Sequence, residues 1–232
     1  MKYFCFSLIL ILFLAFNVGA EINLDYELPE QLPSLGPGGG FEFGYFWPAL
    51  GELNQELKSM GLRGMAGGAV YGGTFGYSFT PNFQIAYEGL GFSSQTSGII
   101  NNTVKAINIS AGISNLAFIY KLPWGKVWNL SLGIAPGYYS VNYKKEITAG
   151  TYQYGDNQNA PTSVAELAGS AWGGKIFANL KYVFNPLIAF GLSVGYQYAK
   201  IKELYQVGVR MSQAPIIDLS GILIKLSAHL NF

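Results

Sequence analysis

The chain has 232 residues, of which 50% are apolar and 12% charged, whereas a soluble domain carries about 25% charged residues. So few charges cannot cover a water-facing surface, which disfavours an ordinary soluble globular domain. Lysine plus arginine number 14 against 13 aspartate plus glutamate, a balance that gives no indication of nucleic-acid binding. Beyond the N-terminus no stretch approaches the ~20 apolar residues of a transmembrane helix, so this composition favours a β-barrel.

Residues 1–20 have the pattern of a secretory signal peptide. Lys2 supplies the basic start, the run Phe4–Phe16 is apolar except at Ser7, and Val18-Gly19-Ala20 forms a small-residue site for cleavage before Glu21. The alternative is a retained membrane anchor, for which this apolar run is short. The single cysteine lies within the signal peptide and lacks a lipobox, so we expect neither a lipid anchor nor a disulfide.

Residues 21–40 are acidic and rich in proline and glycine, which predicts an extended periplasmic lead. The barrel itself is predicted to span residues 41–232. Its first strand is Phe41–Trp47, where aromatic residues occupy every second position, and it ends at Pro48.

A short amphipathic helix is predicted between strands one and two. Leu50, Leu53, Leu57 and Met60 recur at helical spacing, and Gly61 provides a stop. Its apolar stripe could pack on the barrel mouth as a cap, lie in the outer-leaflet interface, or dock a partner. The cap is the preferred interpretation.

Seven further segments carry large apolar residues at every second position and predict strands. They lie at about 69–79, 83–88, 107–120, 128–138, 171–184, 188–198 and 220–232. The large residues change phase after Gly89, at Leu90 and Phe92, so we expect a bulge or the end of the membrane crossing there. Strand four changes phase in the same way at Leu116.

The connections alternate between tight and long, as in outer-membrane barrels. Tight turns are predicted at 81–82, 123–125 and 185–186, and polar loops at 93–103, about 142–169 and about 202–215. Trp128 and Tyr138 are ten residues apart on strand five, which at a tilt of about 40° spans roughly 25 Å, the height of the apolar band. Aromatic girdles at both membrane interfaces follow.

The terminal strand alternates apolar and polar residues and ends on Phe232. This pattern resembles the C-terminal signature of bacterial outer-membrane β-barrels, in which the last strand is read by the barrel-assembly machinery. The resemblance implies that Leu230 and Phe232 act as the assembly signal, that the protein is exported to the bacterial outer membrane, and that it is similar to the small OmpA/OmpX-type barrels.

The predicted fold is thus all-β, an eight-stranded antiparallel up-and-down transmembrane barrel with one short amphipathic helix. A soluble eight-stranded ligand barrel such as a lipocalin is the competing fold. It is disfavoured because the second face of the strands holds mainly Gly, Ala, Ser, Asn and Gln, which can fill a narrow lumen but cannot solvate an exterior.

The ionisable residues on that second face are predicted to form a polar network in the lumen, because unpaired buried ions cost several kcal/mol. They are Glu42, Glu88, Lys175, Lys181, Lys225 and His229. The network could be purely structural, or it could form a gated path for protons or ions. The structural interpretation is preferred.

Three functions remain open. A structural or surface-interaction protein that acts through its extracellular loops is preferred, a narrow pore comes second, and a lipid-modifying enzyme third. Ser227 and His229 share a face and, with Glu42 or Glu88, have the elements of a Ser-His-acid site, as in outer-membrane lipid A deacylases. In those enzymes the site faces lipid near the outer surface, whereas His229 is close to the periplasmic end.

We therefore expect no catalytic, cofactor-binding or metal-binding residues. The segment GSAWGGK at 169–175 lacks the Ser or Thr of a phosphate-binding loop and leads into a strand. The expected partners are outer-membrane lipid, the barrel-assembly machinery during insertion, and an extracellular ligand of the loops.

Overall fold

Eight long antiparallel strands close into a ring. The computed structural model describes residues 35–101, 103–124, 127–149, 162–185, 187–212 and 214–231. The ring strands are β1 (Gly36–Pro48), β2 (Gly68–Thr80), β3 (Phe83–Ile100), β4 (Thr103–Trp124), β5 (Trp128–Ala149), β6 (Thr162–Val183), β7 (Ile188–Tyr198) and β12 (Gly221–Asn231). Neighbours in the chain pair with each other, and β12 pairs with both β7 and β1. The predicted up-and-down barrel is confirmed.

One helix and four short strands complete the described elements. Helix α1 (Gly51–Ser59) connects β1 to β2, as predicted. The segment between β7 and β12 contains β8 (Lys200–Ile201), β9 (Tyr205–Gln206), β10 (Val209–Arg210) and β11 (Ile217–Asp218). Among the residues described, no helix is long and apolar enough to cross a membrane.

The strands are staggered by ten residues around the ring. Backbone partners followed from Phe41 through β12 and β7 lead to Tyr182 on β6, whereas partners followed through β2 to β5 lead to Trp172. For eight strands, this stagger corresponds to a tilt of about 40° and a radius of roughly 8 Å. The interior is therefore only wide enough for side chains.

The outer wall of the ring exposes an apolar band. Phe41 lies in the middle of β1 and is nevertheless 81% exposed. The band ends in aromatic pairs, since the rings of Trp128 and Tyr182 are 5.0 Å apart at the periplasmic side and those of Tyr138 and Trp172 are 5.5 Å apart at the opposite side. The predicted aromatic girdles are present, and they delimit the part of the wall that faces lipid.

The interior changes character along the barrel axis. Towards the periplasmic side it holds small and polar side chains, whereas towards the extracellular side it is apolar. Leu53 and Leu57 of α1 are fully buried in this apolar part. Helix α1 therefore closes the barrel mouth as a cap, in agreement with the preferred interpretation of its apolar stripe.

Two predicted features are wrong. Strand β1 begins at Gly36, so residues 36–40 belong to the barrel and not to the lead. There is no bulge at Gly89, because β3 and β4 pair without a shift from Phe83 to Ile100. Leu90 and Phe92 change phase because they point into the apolar interior. The signal peptide, the rest of the lead up to residue 34, and Phe232 lie outside the described residues.

The long connections are also largely strand. Most of the segment 93–103, predicted as a polar loop, is paired sheet, because β3 continues to Ile100 and β4 begins at Thr103. Strand β5 continues to Ala149 and β6 begins at Thr162, so much of the predicted loop at 142–169 is paired sheet, and residues 150–161 lie outside the described part. The predicted loop at 202–215 contains the β9–β10 hairpin. The sheet formed by β3 to β6 therefore continues well beyond the extracellular girdle.

Candidate functional site

Four of the six predicted lumen residues meet in one cluster near the middle of the barrel. Lys225 on β12 forms ion pairs with both Glu42 on β1 and Glu88 on β3. Lys175 on β6 lies 2.5 Å from Glu88, and Asn115 on β4 donates a hydrogen bond of 2.7 Å to the same carboxylate. We call Glu42, Glu88, Lys175 and Lys225 the ion cluster. Glu88 is its centre because it is shared by both lysines.

The ion cluster is neutral and almost fully buried. Two carboxylates face two ammonium groups, and all four side chains are buried. Lys175 also lies over the ring of Phe177, with 4.8 Å between the ammonium nitrogen and the ring centroid. Charges withdrawn from water are tolerated only when paired in this way, since an uncompensated buried ion costs several kcal/mol.

Glycines in the wall make room for these long side chains. Gly44 lies opposite Lys225 in the pairing of β1 with β12. A Cβ atom at this position would come within 2.0 Å of the Ile224 carbonyl oxygen and 2.8 Å of the Lys225 Cα. Only glycine permits the two strands to approach this closely.

The other two predicted lumen residues lie apart from the ion cluster, nearer the periplasmic end. Nε2 of His229 is 3.0 Å from Oγ of Ser227, and among the described residues His229 has no carboxylate partner. Lys181 likewise forms no ion pair within the described ranges. The structure thus brings Ser227 and His229 together, but it gives them no acid to orient the imidazole.

Sequence reasoning missed two polar residues of the interior. Asn115 completes the hydrogen bonding of Glu88, and Lys121 donates a 2.7 Å hydrogen bond to Ser78 on β2. Both lie on β4 at odd-numbered positions, in phase with the buried Ile107 and Ile113. That common phase is the signal that could have identified them.

An apolar plug fills the interior above the ion cluster. It is formed by Leu53 and Leu57 of α1 together with side chains from the wall and from the segment after β7. The most buried of these are Phe46, Ile107, Ile109, Tyr139, Ile201, Leu204, Ile217 and Leu219. The plug leaves the ion cluster separated from the extracellular side.

Polar contacts at the rim fasten α1 to the wall. Glu56 lies 3.8 Å from Lys145 and accepts a 3.4 Å hydrogen bond from Tyr143, while Glu52 lies 3.8 Å from Lys200. Burial and the nearby Glu56 carboxylate raise the pKa of Tyr143, so it remains a neutral donor. These contacts hold the helix against the barrel wall at two positions one turn apart.

The described residues contain no cluster of three or more His, Cys, Asp or Glu side chains that could hold a metal ion.

No protein-family model matches the chain, and no curated protein matches it. Solved structures do. The outer membrane protein OprG from Pseudomonas aeruginosa matches with a TM-score of 0.53 and 15% identity, covering 86% of this chain and 97% of that one. Neisserial surface protein A gives 0.46 and 10%, covering 87% and 98%. The N-terminal β-barrel domain of OprF from Pseudomonas aeruginosa gives 0.42 and 14%, covering 86% and 99%.

The closed ring of eight strands and the apolar band on its outer wall define a transmembrane β-barrel. The likeness to OprG adds that its fold is that of the small bacterial outer-membrane barrels. The chain therefore has the fold of a small outer-membrane β-barrel.

Proposed function

We propose that the protein is a sealed, non-enzymatic outer-membrane barrel that acts through its extracellular surface. The observation that carries this proposal is the apolar plug, because Phe46, Leu53, Leu57 and Ile109 are fully buried in the extracellular half of the interior. A water path along the axis would have to cross this dry layer and then the ion cluster. Dispersion contacts and ion pairs would both have to be broken to open it.

The shape of the extracellular part supports a role in surface interaction. Strands β3 to β6 continue as paired sheet past the extracellular girdle, and they are backed by α1 and by the segment after β7. The result is a packed, solvent-exposed structure outside the membrane. A barrel whose purpose were only to span the membrane would not require it.

The enzyme alternative is less well supported. Ser227 and His229 lie inside the wall near the periplasmic end, and no described carboxylate orients the imidazole. A Ser-His pair without its third member and without access to lipid lacks the arrangement that acyl transfer requires.

Conductance in planar bilayers tests the sealed barrel. The purified full-length protein should give no steady ion-selective current. A variant without the plug, in which Phe46, Leu53 and Leu57 are all changed to Gly, should conduct more than the natural protein if the plug is the seal. Regular channels from the natural protein would overturn the proposal in favour of the pore. Ser227→Ala and His229→Ala should leave lipid A composition unchanged in cells, and an altered composition would favour the enzyme.

A further inference from the structure

An uncharged, hydroxyl-rich patch covers the outward face of the sheet just beyond the extracellular girdle. It consists of Ser93, Ser110, Ser140, Asn142 and Ser170, which are all exposed. We call these five residues the hydroxyl face. Their register is shared, because Ser93 pairs with Ser110 and Ser110 with Asn142, while Ser140 pairs with Ser170.

The hydroxyl face is shallow, and four of its five polar side chains are available. Gly112 lies between Ser110 and Ser114 on β4 and carries no side chain, so the surface is shallow next to Ser140, whose hydroxyl donates to the Gly112 carbonyl at 3.3 Å. Within the described ranges, the side chains of Ser93, Ser110, Asn142 and Ser170 form no hydrogen bond. They can therefore donate to and accept from a ligand.

The position of the hydroxyl face relates it to the membrane. Ser140 and Asn142 follow Tyr138, which belongs to the girdle, by two and four residues. A strand tilted by about 40° rises roughly 2.5 Å per residue, so these side chains lie about 5 and 10 Å above the girdle. This is the layer occupied by the headgroups of outer-leaflet lipid.

The lower border of the hydroxyl face is aromatic. Trp172 is 78% exposed and contacts only the ring of Tyr138 among the described aromatic residues. A broad exposed aromatic ring beside hydroxyl and amide groups can receive the apolar face of a sugar ring while the polar groups bind its hydroxyls. Both chemical elements of saccharide recognition are thus adjacent.

The absence of charge distinguishes a saccharide from a phosphate. A phosphate site would present Lys or Arg side chains, and the hydroxyl face has none. The nearest charges on the same face are Lys144 and Glu166, which pair across β5 and β6, and Lys144 also lies 2.6 Å from Glu146. These charges are of both signs and do not create a cationic patch.

We propose that the hydroxyl face binds the core saccharide of glycolipid in the outer leaflet of the membrane that contains the barrel. Continuity with the girdle selects this occupant, because the sugar of a membrane-anchored lipid is already at the height of the patch. The inference rests on the outer-membrane placement and is independent of whether the barrel conducts. Its failure would leave the sealed-barrel proposal untouched.

The test uses full-length protein in nanodiscs of three compositions: phospholipid alone, phospholipid with lipid A that lacks core sugars, and phospholipid with lipopolysaccharide that has a complete core. The temperature at which the barrel unfolds is read from its heat-dependent position on gels. Core-bearing lipopolysaccharide should raise this temperature more than lipid A does. The variant Ser110→Val/Ser140→Val/Ser170→Val should lose this extra increment and retain the response to lipid A.

The control variant Ser97→Val/Ser212→Val changes two exposed serines outside the hydroxyl face and should keep the whole increment. If the triple variant does not fold in phospholipid alone, Ser110→Val alone replaces it. The proposal is overturned if lipid A and lipopolysaccharide stabilise equally, or if the folded face variant keeps the increment. It is also overturned if soluble core oligosaccharide stabilises the phospholipid-embedded protein while membrane-anchored lipopolysaccharide does not.

Discussion

Asn54 and Met65 form a reciprocal pair of hydrogen bonds that fastens the segment after α1 to the helix. The Asn54 amide donates to the Met65 carbonyl at 2.9 Å, and its oxygen accepts from the Met65 N–H at 2.8 Å. One side chain thus satisfies both polar groups of one backbone residue. Replacing Asn54 by Leu, which has nearly the same shape, leaves both groups without these partners.

We expect Asn54→Leu to lower the free energy of unfolding by about 1–3 kcal/mol for each group left unpaired. Gln55→Leu, one position along on the exposed side of the helix, is the matched control and should have little effect. Denaturant titration of the folded barrel in detergent measures both. Equal effects of the two variants would show that the hydrogen-bond pair is unimportant.

The apolar contact of α1 should be worth more than its polar fastening. Leu53 is fully buried in the plug, so Leu53→Ala creates a cavity and should cost about 2–5 kcal/mol. Gln55→Ala removes an exposed side chain from the same helix and is expected to change the free energy of unfolding by less than about 0.5 kcal/mol. If Leu53→Ala is equally mild, α1 is not packed into the barrel mouth in solution.

The ion cluster should be more sensitive to partial than to complete removal. Glu88→Gln leaves Lys175 without its carboxylate partner and should cost about 3–5 kcal/mol. The quadruple variant Glu42→Leu/Glu88→Leu/Lys175→Met/Lys225→Met removes all four charges and should be less destabilised than the single variant. Unfolding free energies of the two proteins are compared in the same detergent. If the quadruple variant has a much lower free energy of unfolding than Glu88→Gln, the ion cluster contributes net stability.

An Arg substitution should be costly where the barrel wall faces lipid and tolerated where the surface faces water, and two positions of similar exposure allow this comparison. Leu226 in the middle of β12 is 56% exposed and Val209 on β10 is 66% exposed. Leu226→Arg places a charge within the apolar band and should cost about 2–4 kcal/mol, whereas Val209→Arg lies outside the ring and should be tolerated. Refolding into lipid vesicles measures the difference, and equal tolerance would contradict the assigned membrane band.

The turn of the β9–β10 hairpin contains a strained valine. Val207 has a φ of 49° and is 99% exposed, so its branched side chain has a left-handed backbone and no contact that compensates for it. Val207→Asn should stabilise this hairpin by about 1 kcal/mol, because Asn tolerates the conformation. Hydrogen exchange of the Val209 and Arg210 amides should slow. Faster exchange would indicate that Val207 has a favourable contact in the hairpin.

Sequence alternation was sufficient for the ring and insufficient for its extracellular extension. On β7 the large residues Phe190, Leu192 and Val194 alternate with small ones, and this pattern indicated strand, face and phase together. On β3 from Ser93 to Ser97 both faces are polar. The inward Ser94 and Thr96 do not pack on apolar residues but donate to the carbonyls of Gly67 and Arg63 at 3.0 and 2.9 Å. Where the inner face of a strand forms hydrogen bonds to a loop, its sequence does not alternate between apolar and polar residues, and the strand cannot be recognised from that pattern.

The sequence could predict which charged residues face the interior, but not which of them contact each other. Glu42, Glu88, Lys175 and Lys225 could be assigned to the inner face from their phase. Which of them meet depends on the stagger of the strands, and this quantity is not encoded in any single strand. Asn115 was omitted for a different reason: β4 keeps one phase throughout, but its inner face changes from apolar to polar side chains, and the large outward Leu116 was taken as a change of phase.

The partners Glu42 and Lys225 lie on the first and last strands of the ring, so their ion pair spans the seam where the barrel closes. While the seam is open, β1 has a carboxylate and β12 an ammonium group that is drawn towards lipid without its counter-charge. Sealing the seam neutralises both groups in one step. A barrel in which β1 and β12 are not yet paired is destabilised most when it enters the hydrocarbon layer, because both charges are then unpaired in lipid. Closure of the ring is thereby coupled to insertion into the membrane.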